Sequence, residues 1–240
     1  MDFGIAMATS ADAWKLVQRA EALGFSHAWF YDTQMLSADC FVAMGAAAVK
    51  TDRIRLGTGV LIPSNRIAPV AAIDAMRRQW TEAGRPLEDL SATTFALGCV
   101  LQPGEPYDSP RAMAQAGPRA AVVLHRAADE AIAGLPNSSG IPPAAAEAIH
   151  RYVDIARRFE PADARYLMNH RGHLMFVKPE ERDYVTAELI RETSFTATES
   201  ELKARIGALK EAGYTQFTIQ IVPGQEEAIE DWGRIRKAFM

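Results

Sequence analysis

Apolar residues follow two different rhythms along this chain. Residues 3–8, FGIAMA, form a short unbroken apolar run of the kind that a strand buried on both faces shows. The run leads into Thr9, Ser10, Ala11 and Asp12, a cluster of helix N-cap types placed just before WKLVQRAEALGF. There Trp14, Leu16, Val17, Ala20 and Leu23 fall near a 3.6-residue period, and Gly24 stands where a left-handed glycine closes a helix. SHAWFYDT then reads as a second buried strand ended by Asp32, FVAMGAAAV as a helix, and IRLGTGVLI as a third strand. Alternation of strand and helix in this way is the rhythm of a parallel sheet covered by helices. Right-handed crossovers bring the C-terminal ends of its strands to one face, where function collects in such folds.

Beyond Pro63 the pattern predicts a loop, SNRIAPVAA, then an amphipathic helix AIDAMRRQWTEAGRP stopped at Gly84, then a strand SATTFALGCVL. Residues 102–143 hold Pro103, Pro106, Pro110, Pro118, Pro136, Pro142 and Pro143 around the helix AAVVLHRAADEAIAGL. That stretch is far longer than an ordinary connection of about 2–6 residues, so it reads as an insertion of loops and one helix. Residues 144–168 continue as helix, interrupted near Pro161. The tail is a helix with a capping-box pair, Thr198 and Glu201, a strand QFTIQIV, a turn at Pro223-Gly224 and a terminal helix.

Composition bounds the picture. With 240 residues, 48% of them hydrophobic and 23% charged, the chain can bury a large core and does not read as disordered. A net charge of −4 with scattered Lys and Arg offers no footprint for a nucleic acid. No apolar stretch approaches the roughly 18 residues of a membrane span, and the start MDFGIAM is no secretion signal. A cytoplasmic protein is expected, with Cys40 and Cys99 as free, buried thiols.

Chemistry is sparse. Motifs for a serine hydrolase, a zinc protease, a phosphate loop or a dinucleotide fold do not occur. Gly57-Thr58-Gly59-Val60 is a glycine-rich strand end, a place where a bulge or a closely approaching ligand is expected. Asp32 ends the second strand at the same rim, as a site carboxylate or a turn residue, and Arg66 follows the third strand, where it could meet a phosphate or serve as a surface charge. His170 and His173 are spaced for one helix face, yet no third ligand stands near them in the chain, and no metal site is assigned. His125 and His150, on amphipathic helices, are read as core-edge or partly exposed.

Taken together, A-E-A-L-G-F before the second strand, Asp32 at its end, R-I-R-L-G-T-G-V and N-R-I-A-P resemble the N-terminal third of luciferase-like monooxygenases. The likeness is particularly to the branch close to F420-dependent methylenetetrahydromethanopterin reductase. The C-terminal stretch from F-T-A-T-E-S-E-L to Q-I-V-P-G is similar to that family's last barrel strand and terminal helix.

The resemblance implies an α/β fold of the TIM (βα)8-barrel type, with a flavin (FMN) or coenzyme F420 ring across the C-terminal mouth. Gly57, Thr58, Gly59, Val60 and Arg66 are its cofactor-binding residues and Asp32 the catalytic position, and the family's bulge with a non-prolyl cis peptide maps to Gly59-Val60. Fourth to sixth strands have no counterpart here, so the strand equivalents are one, two, three, seven and eight. Those five are barrel neighbours in the order seven, eight, one, two, three, and they would form an open sheet with two bare edges.

One luciferase-like domain over 1–240 with a Pro-rich helical insertion at 102–170 is therefore expected. Its bare edges favour a homodimer. The expected activity is oxidation or reduction of a small organic substrate, with a flavin reductase as a possible partner. The alternative is a cofactor-free homologue acting as a subunit or assembly partner.

Overall fold

The computed structural model describes residues 1–31, 40–59, 69–135 and 145–240. It opens with β1 (Asp2–Ala8), buried along its middle as the apolar run predicts. Then come α1 (Trp14–Ala22), β2 (His27–Tyr31), α2 (Cys40–Ala48), β3 (Arg55–Gly59) and α3 (Pro69–Glu82). Gly24 and Gly84 both take positive φ, +83° and +70°, so the two glycine stops are where the pattern put them. The polar cluster before α1 does not cap it: Ser10 Oγ donates to Asp12 Oδ1 at 2.9 Å, and Ala13 occupies the cap position.

The remaining elements are β4 (Thr93–Leu97), β5 (Val100–Leu101), α4 (Pro110–Ile132), α5 (Ala146–Ala156), α6 (Arg165–Asn169), α7 (Ala187–Thr193), β6 (Ala197–Thr198), α8 (Glu199–Ala212), β7 (Gln216–Ile221) and α9 (Ala228–Lys237). No helix among the described residues is long and apolar enough to cross a membrane.

Two compact units result. The first comprises 1–96, 199–221 and 226–240, and the second 97–198 with 222–225.

The first unit is an α/β structure on a five-stranded sheet in the order β3-β2-β1-β7-β4. β2 and β7 flank β1 in parallel, and β3 continues in parallel beside β2. This is the neighbour order expected for strand equivalents three, two, one, eight and seven. Among the described residues the sheet is open, with β3 and β4 at its edges, and does not close into a barrel.

Strand alternation divides its residues between two faces. One is apolar: Phe3, Ile5, Met7, Ala28, Phe30, Phe217, Ile219 and Ile221 are all buried. The Phe217 ring lies 5.8 Å from that of Phe3 and 5.9 Å from Trp232 of α9. Each such side chain contributes about 1.5–3 kcal/mol on burial, so this face holds the unit together.

The second unit is mainly helical. The single strand expected across SATTFALGCVL divides at Gly98, where a side chain would collide with the carbonyl of Phe195. Phe195 N donates to Leu97 O at 2.8 Å, and beyond the break β5 pairs in parallel with β6.

The expectation of loops before residue 120 is also corrected. α4 begins at Pro110 and runs straight through Pro118. Pro110 falls in the first turn, where its missing N–H costs nothing, and Ser109 Oγ caps the helix by accepting from Ala112 N at 3.0 Å. Pro118 sits on the buried face, where apolar packing offsets its lost hydrogen bond. Ala116, Ala120, Leu124 and Ala128 of α4 share one core with Ile149 and Tyr152 of α5 and with Leu189 and Ile190 of α7.

Candidate functional site

The other face of the sheet carries polar and small residues. Register places Gly4, His27 and Arg55 side by side, then Ala6, Trp29 and Gly57, then Ala8, Tyr31 and Gly59. Across β1, Thr218 pairs with Gly4 and Gln220 with Ala6. Gln216, Thr218 and Gln220 alternate with the apolar residues of β7 yet are buried. The last row, Ala8, Tyr31 and Gly59, forms the C-terminal rim.

Trp29 dominates this face. Its indole lies against β3, so that a Cβ on Gly57 would come within 2.8 Å of Trp29 Cζ3 and one on Gly59 within 3.1 Å of Trp29 Cβ. The ring is parallel to His27, with centroids 5.8 Å apart, and meets Phe95 edge-on at 5.8 Å. β3 pairs regularly with β2 as far as Gly59, so residues 55–59 contain no bulge. The two glycines make room for an aromatic ring of the chain itself.

Four buried polar atoms on this face have no hydrogen-bond partner among the described residues: Trp29 Nε1, Tyr31 Oη, Gln216 Nε2 and Thr218 Oγ1. An unpaired buried polar group costs about 1–3 kcal/mol, so four on one face need an explanation. Every one of them can donate a hydrogen bond. Burial pushes the Tyr31 phenol well above its ordinary value, which keeps it protonated.

Glu21, in the A-E-A-L-G-F motif, organises the approach to β3. Its Oε1 accepts from Asp52 N at 3.0 Å and from Ile54 N at 2.8 Å, and also from Arg53 N. Hydrogen bonds from Arg53 and Ile54, opposed by partial burial and aided by Asp52, hold its carboxyl below the usual range.

Of the expected site residues, Gly57 and Gly59 lie on this face and Thr58 projects from the opposite one, where it is exposed. Asp32, Val60 and Arg66 fall outside the described residues. Trp29, Tyr31, Gln216 and Thr218 were not singled out by motif. For β7 a signal existed, because Q-F-T-I-Q-I alternates polar and apolar residues.

A second polar cluster lies in the helical unit. Lys178 and Glu181, both fully buried, are joined with Nζ 2.6 Å from Oε1. Lys178 Nζ also donates to Asn169 O at 2.6 Å and to Met168 O at 2.9 Å. His125 Nε2 and Tyr152 Oη reach the same Glu181 oxygen. Burial alone would raise the Glu181 carboxyl, but the bond from His125 and then Lys178 outweigh it and keep it ionised. Burial lowers His125 despite that carboxylate, so the pair is a carboxylate and a neutral imidazole donating from Nε2.

His125 is thus a core residue with 2% of its side chain exposed, not the core-edge or partly exposed one expected, whereas His150 is exposed. Cys40 and Cys99 are buried thiols outside any disulfide among the described residues, as expected.

Compared with known families, residues 4–72, under a third of the chain, match the luciferase-like monooxygenases. No curated protein matches the chain.

Proposed function

We propose, from the match of residues 4–72 to the luciferase-like monooxygenases, that the protein is an oxidoreductase binding FMN or coenzyme F420 at the C-terminal rim of the sheet. The observation that carries this reading is the buried Tyr31 Oη, a donor with no hydrogen-bond partner among the described residues, in the rim row beside Gly59. The polar edge of a flavin or deazaflavin is rich in carbonyl oxygens and ring nitrogens that accept hydrogen bonds, so a phenol donor at the rim fits the group. Such a ring supplies hydride or oxygen chemistry when bound, and the protein supplies placement and electrostatics.

Tyr31 and Gly59 stand at the rim, where a flat ring can approach the backbone. Gly57 acts indirectly, by letting Trp29 lie flat as a wall. Tyr31 orients the ring by donating from Oη at the rim, where burial keeps the phenol protonated. Asp32, next in the chain after Tyr31, is the proposed catalytic carboxylate, and Val60 and Arg66 are proposed to extend the ring and phosphate contacts. The edges β3 and β4 suit pairing with a second copy, which would wall the open side.

Titration with FMN and F420 side by side, read by visible absorbance and fluorescence, tests the reading. Saturable binding of one cofactor is expected, weakened at least tenfold in Tyr31→Phe. If neither cofactor binds at high micromolar concentration, the reading fails and a cofactor-free homologue takes its place. Sedimentation equilibrium checks the dimer, and a monomer at all concentrations removes it.

A further inference from the structure

The helical unit contains three imidazoles that no flavin chemistry uses. His125 of α4 and His170 and His173, just past α6, each offer a ring nitrogen within 4.8 Å of the others. We propose that these three histidines bind a divalent transition-metal ion of the zinc type, with the fourth coordination position left to water.

Three observations lead there. His170 Nδ1 and His173 Nδ1 are 3.2 Å apart. Two nitrogens that each bond zinc at about 2.0–2.1 Å, at a near-tetrahedral angle, stand about 3.3 Å from one another. The pair therefore already has the separation a shared ion requires.

Second, the outer nitrogens are engaged in the manner of metal ligands. His170 Nε2 lies 2.6 Å from Asp129 Oδ2, and His125 Nε2 donates to Glu181. A carboxylate behind a histidine fixes its tautomer, turns the other nitrogen into a lone pair and raises its basicity. The carboxylates are anchored in turn: Asn169 Nδ2 donates to Asp129 Oδ1 at 2.7 Å, and Lys178 Nζ is 2.6 Å from Glu181 Oε1.

Third, His125 Nδ1 is buried with no hydrogen-bond partner among the described residues. With Nε2 taken by Glu181, Nδ1 is the nitrogen His125 has to offer. A proton shared between His170 and His173 would account for that pair alone and leave His125 Nδ1 bare. An ion satisfies all three at once.

The donor set favours zinc, copper or nickel over magnesium or calcium, which prefer oxygen ligands. The Arg119 charge near His173, together with that of Lys178 beside His125, argues for moderate rather than extreme affinity.

The test uses the full chain, stripped with a chelator and dialysed against Zn2+. One ion per chain is expected, with a rise in the thermal midpoint of about 5–10 °C at a hundredfold excess over Kd. Co2+ in place of zinc should show the intense visible bands of tetrahedral coordination. His173→Ala, at a partly exposed position, should weaken binding at least tenfold, and Asp129→Asn about tenfold through its hold on His170. His150→Ala should leave it unchanged. Failure to bind zinc, or zinc binding equally strong in His173→Ala, overturns the site. Neither outcome depends on whether a flavin binds.

Discussion

The sheet unit and the helical unit both bury polar side chains, but they satisfy them in opposite ways. On the sheet face Trp29, Tyr31, Gln216 and Thr218 each keep an atom without a partner among the described residues, three of them gathered over Gly4 and the fourth, Tyr31 Oη, in the rim row. In the helical unit Lys178, Glu181, Tyr152, Asn169 and Asp129 are linked into one network, and His125 Nδ1 is the atom of its histidine left over. A bare donor at the rim suits the acceptor edge of a flat ligand. A tight network with a bare imidazole suits a small, strongly bonding ion. The way buried polar atoms are distributed, more than their number, separates the two kinds of site.

The largest expected effect strikes the network. Lys178→Met leaves Glu181 buried without its cation, and a loss of about 3–5 kcal/mol in urea unfolding is expected. A loss below about 1 kcal/mol would mean that water reaches the pair, and the contrast between the units would weaken.

Next is the crowded face. Gly57→Ala sets a methyl against Trp29, which is held by His27 and Phe95, so overpacking should cost about 1–3 kcal/mol. Unchanged stability would show that the indole moves freely and is no wall.

Glu21→Gln probes the clamp on β3 and is sensitive to pH. A carboxyl held below its unfolded value contributes stability that is present above about pH 4.3 and lost as pH falls through the lower folded value. At pH 7 the variant should lose about 0.5–1 kcal/mol, a figure already reduced for solvent screening. The two proteins should converge in acid, and a gap that persists at low pH would assign the effect to packing.

The smallest effect is at Arg19, whose Nε lies 2.6 Å from Glu230 Oε1 at a half-exposed position. Arg19→Ala should cost under about 0.5 kcal/mol and less in high salt.

Much of the sheet was legible in the chain. The apolar run of β1 predicts a strand buried on both faces, Gly24 and Gly84 mark helix ends, and the order of the five strands follows from the family-like segments at both ends. The site was less so. Gly57 and Gly59 stand out as a motif, but the feature that requires them is Trp29, which becomes their neighbour only through strand pairing. His170 and His173 are visible as a pair, whereas His125 is 45 positions away from His170 and joins them only when α4 packs beside the turn.

By itself the sequence determined the periodicities, the glycine stops and which strands could be neighbours, because these depend on the local geometry of a few adjacent residues. Tertiary structure alone decided that α4 runs through Pro118, that Lys178 and Glu181 are buried together, and which ring nitrogens remain bare. Those outcomes depend on groups distant in the chain competing for the same desolvated space, and no local pattern records who wins.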